Sequence, residues 1–309
     1  MFLDPRSGYL FVYKPPGITS SDLVLTLKRK LKTKAIGHTG TLDRFAEGLL
    51  ILPICDYTSF SQVFLGLDKT YYAEVLVGKR TDSGDPDGVV EIDSVEESLE
   101  IFQSKFTIQE LEQELRNLEK ITQQSAPKIS ALKVGGKRQS DLVRMGVEVE
   151  EKIRSIRIYS VSSVAKEEFG FSFRVHVSSG TYIRKMILDL SGQWGIPLTL
   201  QRLVRERIAN YDLSFATHLD SVDLSQVKSW KEILPLPYRK VEPSEKKGIL
   251  HGGYVWDKLP NASDLGFYLV DEDGETLLAW CTRKGKPDHL PYRYRKVFFD
   301  PHQKIMFSK

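Results

Sequence analysis

The 309-residue chain has only two cysteines, Cys55 and Cys281, which lie far apart in the sequence. Two isolated cysteines make neither a disulfide framework nor the paired spacing of a zinc site, and this usage suits a reducing compartment. The sequence also has no run of about 18 apolar residues, which a membrane-spanning helix requires. Asp4 and Pro5 interrupt the N-terminal stretch where a secretory signal peptide would be uniformly apolar. These absences predict a cytoplasmic protein with no membrane segment.

Signatures of metal and nucleotide chemistry are missing as well. The sequence contains no phosphate-binding P-loop, no HExxH motif and no CxxC pair. Residues 83–88 resemble the start of a calcium-binding loop, but the twelfth position holds Ser94 where the loop needs a glutamate. We therefore expect neither a metal nor a cofactor. The formal net charge is only +3, so an RNA-binding surface would have to come from local clusters of basic residues.

The most informative stretch is GHTGTLD, residues 37–43, which ends in the single carboxylate of Asp43 just before an apolar run at 49–52. Its two glycines permit tight backbone geometry and a close approach by another molecule. A compact loop anchored by a buried strand can hold a carboxylate in one orientation, as a nucleophile or general base requires. On spacing alone, an aspartate that caps its own turn is the more ordinary interpretation.

GHTGTLD and the residues that follow it, Ala46 and GLL (48–50), resemble the catalytic motif GHxGTLDPxAxGxL of the TruB family of tRNA pseudouridine synthases. Other segments resemble further motifs of this family in the same order: YKPPGITSSD (13–22), DKTYYAEVLVGKRTDSGDPDG (68–88), SALKVGGKR (130–138), SSGTYIRKMILDL (178–190) and, more loosely, QRLVRERI (201–208). The resemblance implies a monomeric enzyme that isomerises uridine-55 in the T-loop of tRNA, with the T-stem-loop as its partner and no metal or cofactor.

The resemblance also implies an α+β architecture. We expect a pseudouridine-synthase fold with a mixed, largely antiparallel sheet flanked by helices, followed by a small C-terminal PUA-like β-barrel that binds RNA. Three prolines at 234–243 indicate a linker, which divides the chain into a catalytic domain at 1–234 and an RNA-binding domain at 235–309. Within the second domain, a turn that ends in Gly274 separates predicted strands at 266–271 and 275–281.

Hydrophobic periodicity and capping residues predict further elements of the first domain. A helix is expected to begin with Ser20 or Ser21 as its N-cap. Thr107 and Glu110 form a capping box for another helix. Strands are predicted at 9–13, 72–77 and 171–177, and additional helices at 140–145 and 182–194.

The family resemblance implies three catalytic residues. Asp43 matches the essential aspartate, which could attack C1′ of the ribose or C6 of the ring, or could remove the C2′ proton to give a glycal. Tyr71 matches the active-site tyrosine, whose ring can stack on uracil and whose hydroxyl could help to take the C5 proton. Arg184 matches the arginine that pairs with the aspartate and orients it. The residues do not decide between the chemical paths.

Three further matches concern the target nucleotide. His38 matches the histidine that contacts the T-loop and helps to hold the flipped nucleotide, for which an imidazole can stack and hydrogen-bond. Leu203 matches a leucine that packs near the target base, and Tyr182 is expected to support the wall of the pocket. A uridine in a folded loop must leave its stack before its C1′ and C5 atoms can be reached, at a cost of a few kcal/mol.

Basic residues supply the remaining predicted contacts. Lys14, in YKPPG, matches a lysine near the active-site loop and is expected to support that loop or to contact the RNA backbone. Lys133, Lys137 and Arg138 could contact phosphates. A solvated basic turn explains these three residues equally well.

The chain departs from the family pattern at several positions. Arg44-Phe45 stands where the family has Pro-Leu, which could loosen the loop and bring a positive charge to the RNA. Lys128-Ile129 and the 205–207 segment also differ from the usual motifs. Two alternatives therefore remain: a tRNA-binding or folding chaperone with weak or no catalysis, and a guide-dependent, dyskerin-like synthase. A glycoside hydrolase that pairs Asp43 with Asp82 or Asp85 is conceivable on residue type alone.

Overall fold

The computed structural model describes residues 6–125, 133–134, 137–138, 153–233, 236–250, 266–274, 276–282 and 293–297. The strands are β1 (Gly8–Lys14), β2 (Glu47–Ile54), β3 (Lys69–Val77), β4 (Lys79–Thr81), β5 (Val90–Asp93), β6 (Gln123–Ser125), β7 (Lys133–Val134), β8 (Lys137–Arg138), β9 (Ile153–Ser155), β10 (Ile158–Glu167), β11 (Gly170–Val177), β12 (Leu198–Ile208), β13 (Tyr211–Asp212), β14 (Thr217–His218), β15 (Tyr238–Lys240), β16 (Phe267–Val270), β17 (Leu277–Thr282) and β18 (Arg293–Val297). The α-helices are α1 (Ser20–Lys30), α2 (Ser61–Leu65), α3 (Val95–Lys105), α4 (Ile108–Arg116), α5 (Ile183–Trp194), α6 (Trp230–Ile233) and α7 (Pro243–Leu250).

An eight-stranded sheet forms the centre of the fold, in the order β10-β11-β3-β12-β2-β1-β14, with β13 beside β12. The pairs from β10 to β12 are antiparallel, as is the pair β1 and β2. β12 runs parallel to β2, and β1 runs parallel to β14. The predicted α+β class with a mixed, largely antiparallel sheet is therefore confirmed.

Most local predictions are confirmed, but one helix cap and one helix start differ, and one predicted helix is not described. The predicted strands lie within β1, β3 and β11, and the Thr107 and Glu110 capping box begins α4. Helix α1 is capped by Thr19 and not by either serine, because Asp22 completes a reciprocal capping box with Thr19. Tyr182 is the N-cap of α5, so that helix begins one residue later than expected. The predicted helix at 140–145 lies outside the described residues.

One face of the sheet carries the main core, against α3, α4 and α5. Alternate residues of β3 and β11, such as Val75 and Phe173, pack there with Phe102, Leu111 and Ile187 from the helices. Tyr71 lies at the margin of this core. The next residue, Tyr72, lies on the other face beneath the guanidinium of Arg174, 5.5 Å from Cζ to the ring centroid. The two-residue period of a strand thus separates the two tyrosines.

Gly48 permits β2 to approach β12 closely, five residues after Asp43. Its φ is +111°, and a Cβ built there would lie 2.4 Å from the carbonyl oxygen of Arg205. A side chain at this position would therefore force the two strands apart. The tight contact fixes where β2 begins relative to β12.

Strands β15 to β18 form a separate four-stranded sheet. Its β16–β17 hairpin turns at Asp271 and Gly274, as predicted, with the Gly274 amide donating to the Asp271 carbonyl at 2.8 Å. Phe60 packs against Tyr268 and Trp280 of this sheet, with both ring-centroid distances at 5.4 Å. Closure into a PUA-like barrel and the domain boundary at residue 234 stay predictions. Among the helices that the structure describes, none has the length and hydrophobicity that a bilayer crossing demands.

Candidate active site

The loop that carries Asp43 connects α1 to β2 and is fastened to both. The amide and hydroxyl of Thr39 donate to the Ile51 carbonyl at 3.1 and 3.0 Å. The hydroxyl of Ser20, at the start of α1, accepts from the Leu42 amide at 2.9 Å and donates to the Leu42 carbonyl at 3.2 Å. The amide and the carbonyl of Leu42, the residue before Asp43, are thus both hydrogen-bonded. These bonds fix the backbone that carries Asp43, as a carboxylate held in one orientation requires.

Asp43 and Arg184 form a two-pronged ion pair. Nε of Arg184 donates to Oδ2 of Asp43 at 2.9 Å, and Nη2 donates to Oδ1 at 3.2 Å. The arginine side chain is only 5% exposed, whereas the aspartate side chain is 40% exposed. The guanidinium therefore holds the carboxylate from the protein side and leaves its other side accessible.

A second carboxylate shares the guanidinium. Nε of Arg184 lies 3.2 Å from Oδ2 of Asp85, and Nη1 donates to the Ser83 carbonyl at 3.0 Å. Asp85 is almost fully buried, and this burial raises the pKa of its carboxyl although Arg184 opposes the shift. Burial alone would lower the pKa of Arg184, but Asp43 and Asp85 raise it, so the guanidinium stays protonated. From the sequence, Asp85 is a candidate only as a second carboxylate of a glycoside hydrolase. The family resemblance assigns it no role, because its segment matches a motif defined by Tyr71.

A cavity of about 330 Å³ opens beside the ion pair. Five residues predicted from the sequence line it together: Asp43, Tyr71, Tyr182, Arg184 and Leu203. The walls combine one directed ion pair with aromatic and aliphatic side chains, the usual composition of a site for a small planar ligand. Its size suits a single nucleoside. The described part of the chain contains no group of three or more His, Cys, Asp or Glu side chains arranged to hold a metal.

His38 belongs to the same loop but is not among the residues that line the cavity. Burial and the neighbouring Arg205 lower the pKa of His38, so the imidazole is neutral near pH 7. Within the described residues, its buried Nδ1 atom has no hydrogen-bond partner. Contact with RNA through this ring stays a prediction.

Lys14 supports the loop from the interior of the protein. The side chain is fully buried, and Nζ donates to the carbonyls of Pro15, Ile18 and Arg44 at 2.9, 2.7 and 3.3 Å. The last of these carbonyls belongs to the residue after Asp43. Of the two roles expected for Lys14, the geometry favours loop support over contact with the RNA backbone.

Burial lowers the pKa of Lys14 from its ordinary 10.5 to about 8. The unfolded chain therefore binds more protons than the folded protein between these two values, and the free energy of unfolding rises with pH across that window. We expect the stability of the wild type relative to Lys14→Met to increase by about 2 kcal/mol between pH 8 and pH 10. Urea denaturation of both proteins at the two pH values measures this difference. If the difference in the free energy of unfolding between the two proteins is the same at both pH values, the lowered pKa of Lys14 is refuted.

Arg205 is a site residue that sequence reasoning missed. It is 1% exposed, its Nε donates to the Leu49 carbonyl at 2.7 Å, and its Nη2 donates to the Gly40 carbonyl at 3.3 Å. The guanidinium thus ties the loop that carries Asp43 to β2, and Arg205 forms part of the cavity wall. The available signal was its spacing of two residues from Leu203 on one strand, which puts both side chains on the same face.

Arg44 and Phe45 fasten the loop, contrary to the expectation that their departure from Pro-Leu loosens it. The Gly17 amide donates to the Arg44 carbonyl at 2.8 Å, and Nε of Arg44 donates back to the Gly17 carbonyl at 3.0 Å. Phe45 packs against the main core. The side-chain hydrogen bond of Arg44 and the packing of the partly buried Phe45 ring thus hold the loop where the family has Pro-Leu.

The basic residues Lys133, Lys137 and Arg138 lie on the short hairpin of β7 and β8, where Lys133 pairs with Arg138. The segments on either side of this hairpin lie outside the described residues. Phosphate contacts by these side chains stay predictions.

The sequence matches and the structural matches of this chain point to the same fold family. Residues 28–183 match the model of "TruB family pseudouridylate synthase (N terminal domain)". The tRNA pseudouridine synthase B of Leptospira interrogans serogroup Icterohaemorrhagiae serovar Lai (strain 56601) is 42% identical over 300 residues, which cover 95% of this chain and 94% of that protein. The protein of the same name from Aquifex aeolicus (strain VF5) is 35% identical over 277 residues, 87% of this chain and 93% of that one. In a solved Cbf5-Nop10-Gar1 complex, a chain of 20% identity aligns over 95% of this chain and 85% of its own length with a TM-score of 0.64, which shows a shared fold.

Proposed function

The chain belongs to the TruB family of pseudouridylate synthases and isomerises uridine to pseudouridine in tRNA, and we propose that Asp43 is the catalytic carboxylate and uridine-55 of the T-loop its target. The ion pair of Asp43 and Arg184 at the cavity carries this proposal. The pair leaves one side of the carboxylate accessible while the guanidinium fixes the other. A group with that arrangement can act on an atom brought into the cavity.

Uridine and pseudouridine are isomers, so the reaction needs no oxidant, reductant or second substrate. The bond between C1′ and N1 breaks, the uracil turns within the cavity, and a bond forms between C1′ and C5. The C5 proton leaves and N1 gains a proton, so the product has the same atoms as the substrate. Asp43 either forms a transient covalent bond or removes and returns the C2′ proton. Tyr71, in the same cavity, is in reach of the bound ring and can help to take the C5 proton.

A cavity of about 330 Å³ has room for one nucleoside, so we infer that the target uridine leaves its loop before it reacts. We propose that His38 contacts the T-loop beside the extruded nucleotide, and that Lys133, Lys137 and Arg138 contact phosphates. Residues 235–309 are proposed as a PUA-like RNA-binding domain, a role supported by their separate sheet. We propose that the protein acts as a monomer without a guide RNA. The relatives named tRNA pseudouridine synthase B support tRNA as the substrate, whereas the Cbf5 chain, at 20% identity, supports only a common fold.

The test is to incubate the purified protein, in the presence of EDTA, with unmodified tRNA and with a T-stem-loop oligonucleotide. Carbodiimide-based mapping then locates any pseudouridine. The expected result is one product at the T-loop uridine of both RNAs, and none when that uridine is replaced by cytidine. Tight binding to tRNA without product would favour a chaperone, and a product at another position would refute the proposed target.

A further inference from the structure

Leu65 is an exposed apolar side chain at the rim of the catalytic cavity. It is the last residue of α2 and is 46% exposed. It lines the cavity together with Asp43, Tyr71 and Leu203. A single exposed leucine is ordinary on a protein surface, so its exposure alone says little. Its position in the cavity wall, and the way its backbone is held, are more informative.

A buried lysine holds the turn that carries Leu65. The side chain of Lys69 is almost fully buried, and its amine donates to the Leu65 carbonyl at 2.9 Å, the Phe64 carbonyl at 3.4 Å and the Leu67 carbonyl. Burial lowers the pKa of Lys69 to about 7. Burying an amine costs free energy unless its N–H groups find hydrogen-bond acceptors. The three acceptors of Lys69 are all carbonyls of the turn that carries Leu65. Leu67 lies outside α2, so these contacts continue beyond the end of the helix.

The other side of α2 is packed against aromatic residues. Phe64 lies 5.0 Å from Tyr9 between ring centroids, and Phe60, just before α2, packs against Tyr268 and Trp280 of the C-terminal sheet. Val63 and Phe64, the two residues before Leu65, are therefore buried, and the turn after Leu65 is hydrogen-bonded. This support leaves the Leu65 side chain as the part of α2 that reaches the cavity.

We propose that Leu65, together with Leu203, forms the apolar grip on the extruded uracil, and that Lys69 is the positioning residue that holds Leu65 in place. The inference rests on the proposed function. An extruded base loses its stacking, and apolar and aromatic contacts in the pocket must compensate for this loss. Tyr71 offers one such surface, and the two leucines offer a second. Leu42 and Ile183 also line the cavity, but both are buried, whereas Leu65 is exposed and free to contact an entering base.

The first test compares Leu65→Ala with Leu25→Ala in steady-state assays on the T-stem-loop. Leu25 is the matched control, because it is 50% exposed on α1 and does not line the cavity. A contact present in both the ground state and the transition state affects KM more than kcat. We expect KM to rise about tenfold for Leu65→Ala with kcat within about threefold, and both constants to be unchanged for Leu25→Ala. A KM within twofold of the wild type for Leu65→Ala, or an equal rise for Leu25→Ala, overturns the proposal.

The second test separates this inference from the proposed function, because it measures binding without turnover. In an Asp43→Asn background, the dissociation constant is measured for two T-stem-loops, one with uridine and one with an abasic site at the target position. Leu65→Ala should weaken binding of the uridine RNA about tenfold and leave the abasic RNA unchanged. Equal losses for both RNAs would overturn the grip on the base. Absence of pseudouridine from the wild-type reaction would instead overturn the proposed function.

Lys69→Met tests the positioning role. We expect the same rise in KM as for Leu65→Ala, and no further rise in the double variant Leu65→Ala/Lys69→Met, because the lysine acts through the leucine. A rise that adds to that of Leu65→Ala would overturn the assigned role of Lys69. If Lys69→Met does not fold, Leu65→Asn keeps the backbone contacts and changes only the polarity of the grip, and it should show the same selective loss for the uridine RNA.

Discussion

Asp43→Asn is expected to lower pseudouridine formation at least about a thousandfold while tRNA affinity stays within about tenfold of the wild type. Asparagine keeps the shape of the side chain, but its amide can neither attack carbon nor accept a proton from C2′. Binding survives because phosphate contacts and stacking supply most of the affinity for RNA. Single-turnover assays on the T-stem-loop give the rate, and filter binding gives the dissociation constant.

Asp87→Asn is the matched control for this experiment, because Asp87 is an exposed carboxylate that does not line the cavity. It should retain full activity. A fully active Asp43→Asn protein would show that the site is assigned wrongly. Loss of RNA binding together with activity would instead assign Asp43 to substrate recognition.

The second large effect is expected for Arg184→Met. The substitution leaves Asp85 buried without its guanidinium and leaves Asp43 free to turn. Removing one partner of a buried ion pair typically costs about 3–5 kcal/mol of stability. We expect a loss of that size in the free energy of unfolding, measured by urea denaturation, and a fall in activity of at least about a hundredfold.

The double variant Asp85→Asn/Arg184→Met separates the two roles of the arginine. It removes the buried negative charge, so part of the lost stability should return. Activity should not return, because Asp43 still lacks the guanidinium that orients it. Recovery of activity in the double variant would mean that Arg184 serves only to neutralise Asp85.

Local structure was predictable where the deciding contacts lie within a few residues. The Thr107 and Glu110 capping box closes over three residues, and the sequence alone placed it correctly. At α1 the same reasoning chose the wrong cap. Thr19 and Asp22 form a capping box that is itself local, and the hydroxyl of Ser20 is engaged instead by Leu42 of the loop that carries Asp43. The contact with Leu42, 22 residues away, is the part that leaves no local pattern.

The supporting residues of the site were less visible than the residues that line it. Arg205 donates to carbonyls 156 and 165 residues away. Lys69 donates to carbonyls of a nearby turn, and the structure shows that this turn carries Leu65 to the cavity, which Lys69 also lines. Backbone carbonyls are present at every residue, so no residue type along the chain indicates which of them a buried cation will reach.

The sequence by itself determined the family, the α+β class and the chemical groups of the site, because motifs such as GHTGTLD and GTYIR are short and their residue types are set by the reaction. Only the tertiary structure decided that Asp43 and Arg184 meet, across 141 residues. It also decided that Asp85 shares the guanidinium and that Lys14 and Arg205 hold the loop from beneath. These contacts depend on the order and register of the strands. That order results from packing the whole core at once, and no single segment specifies it.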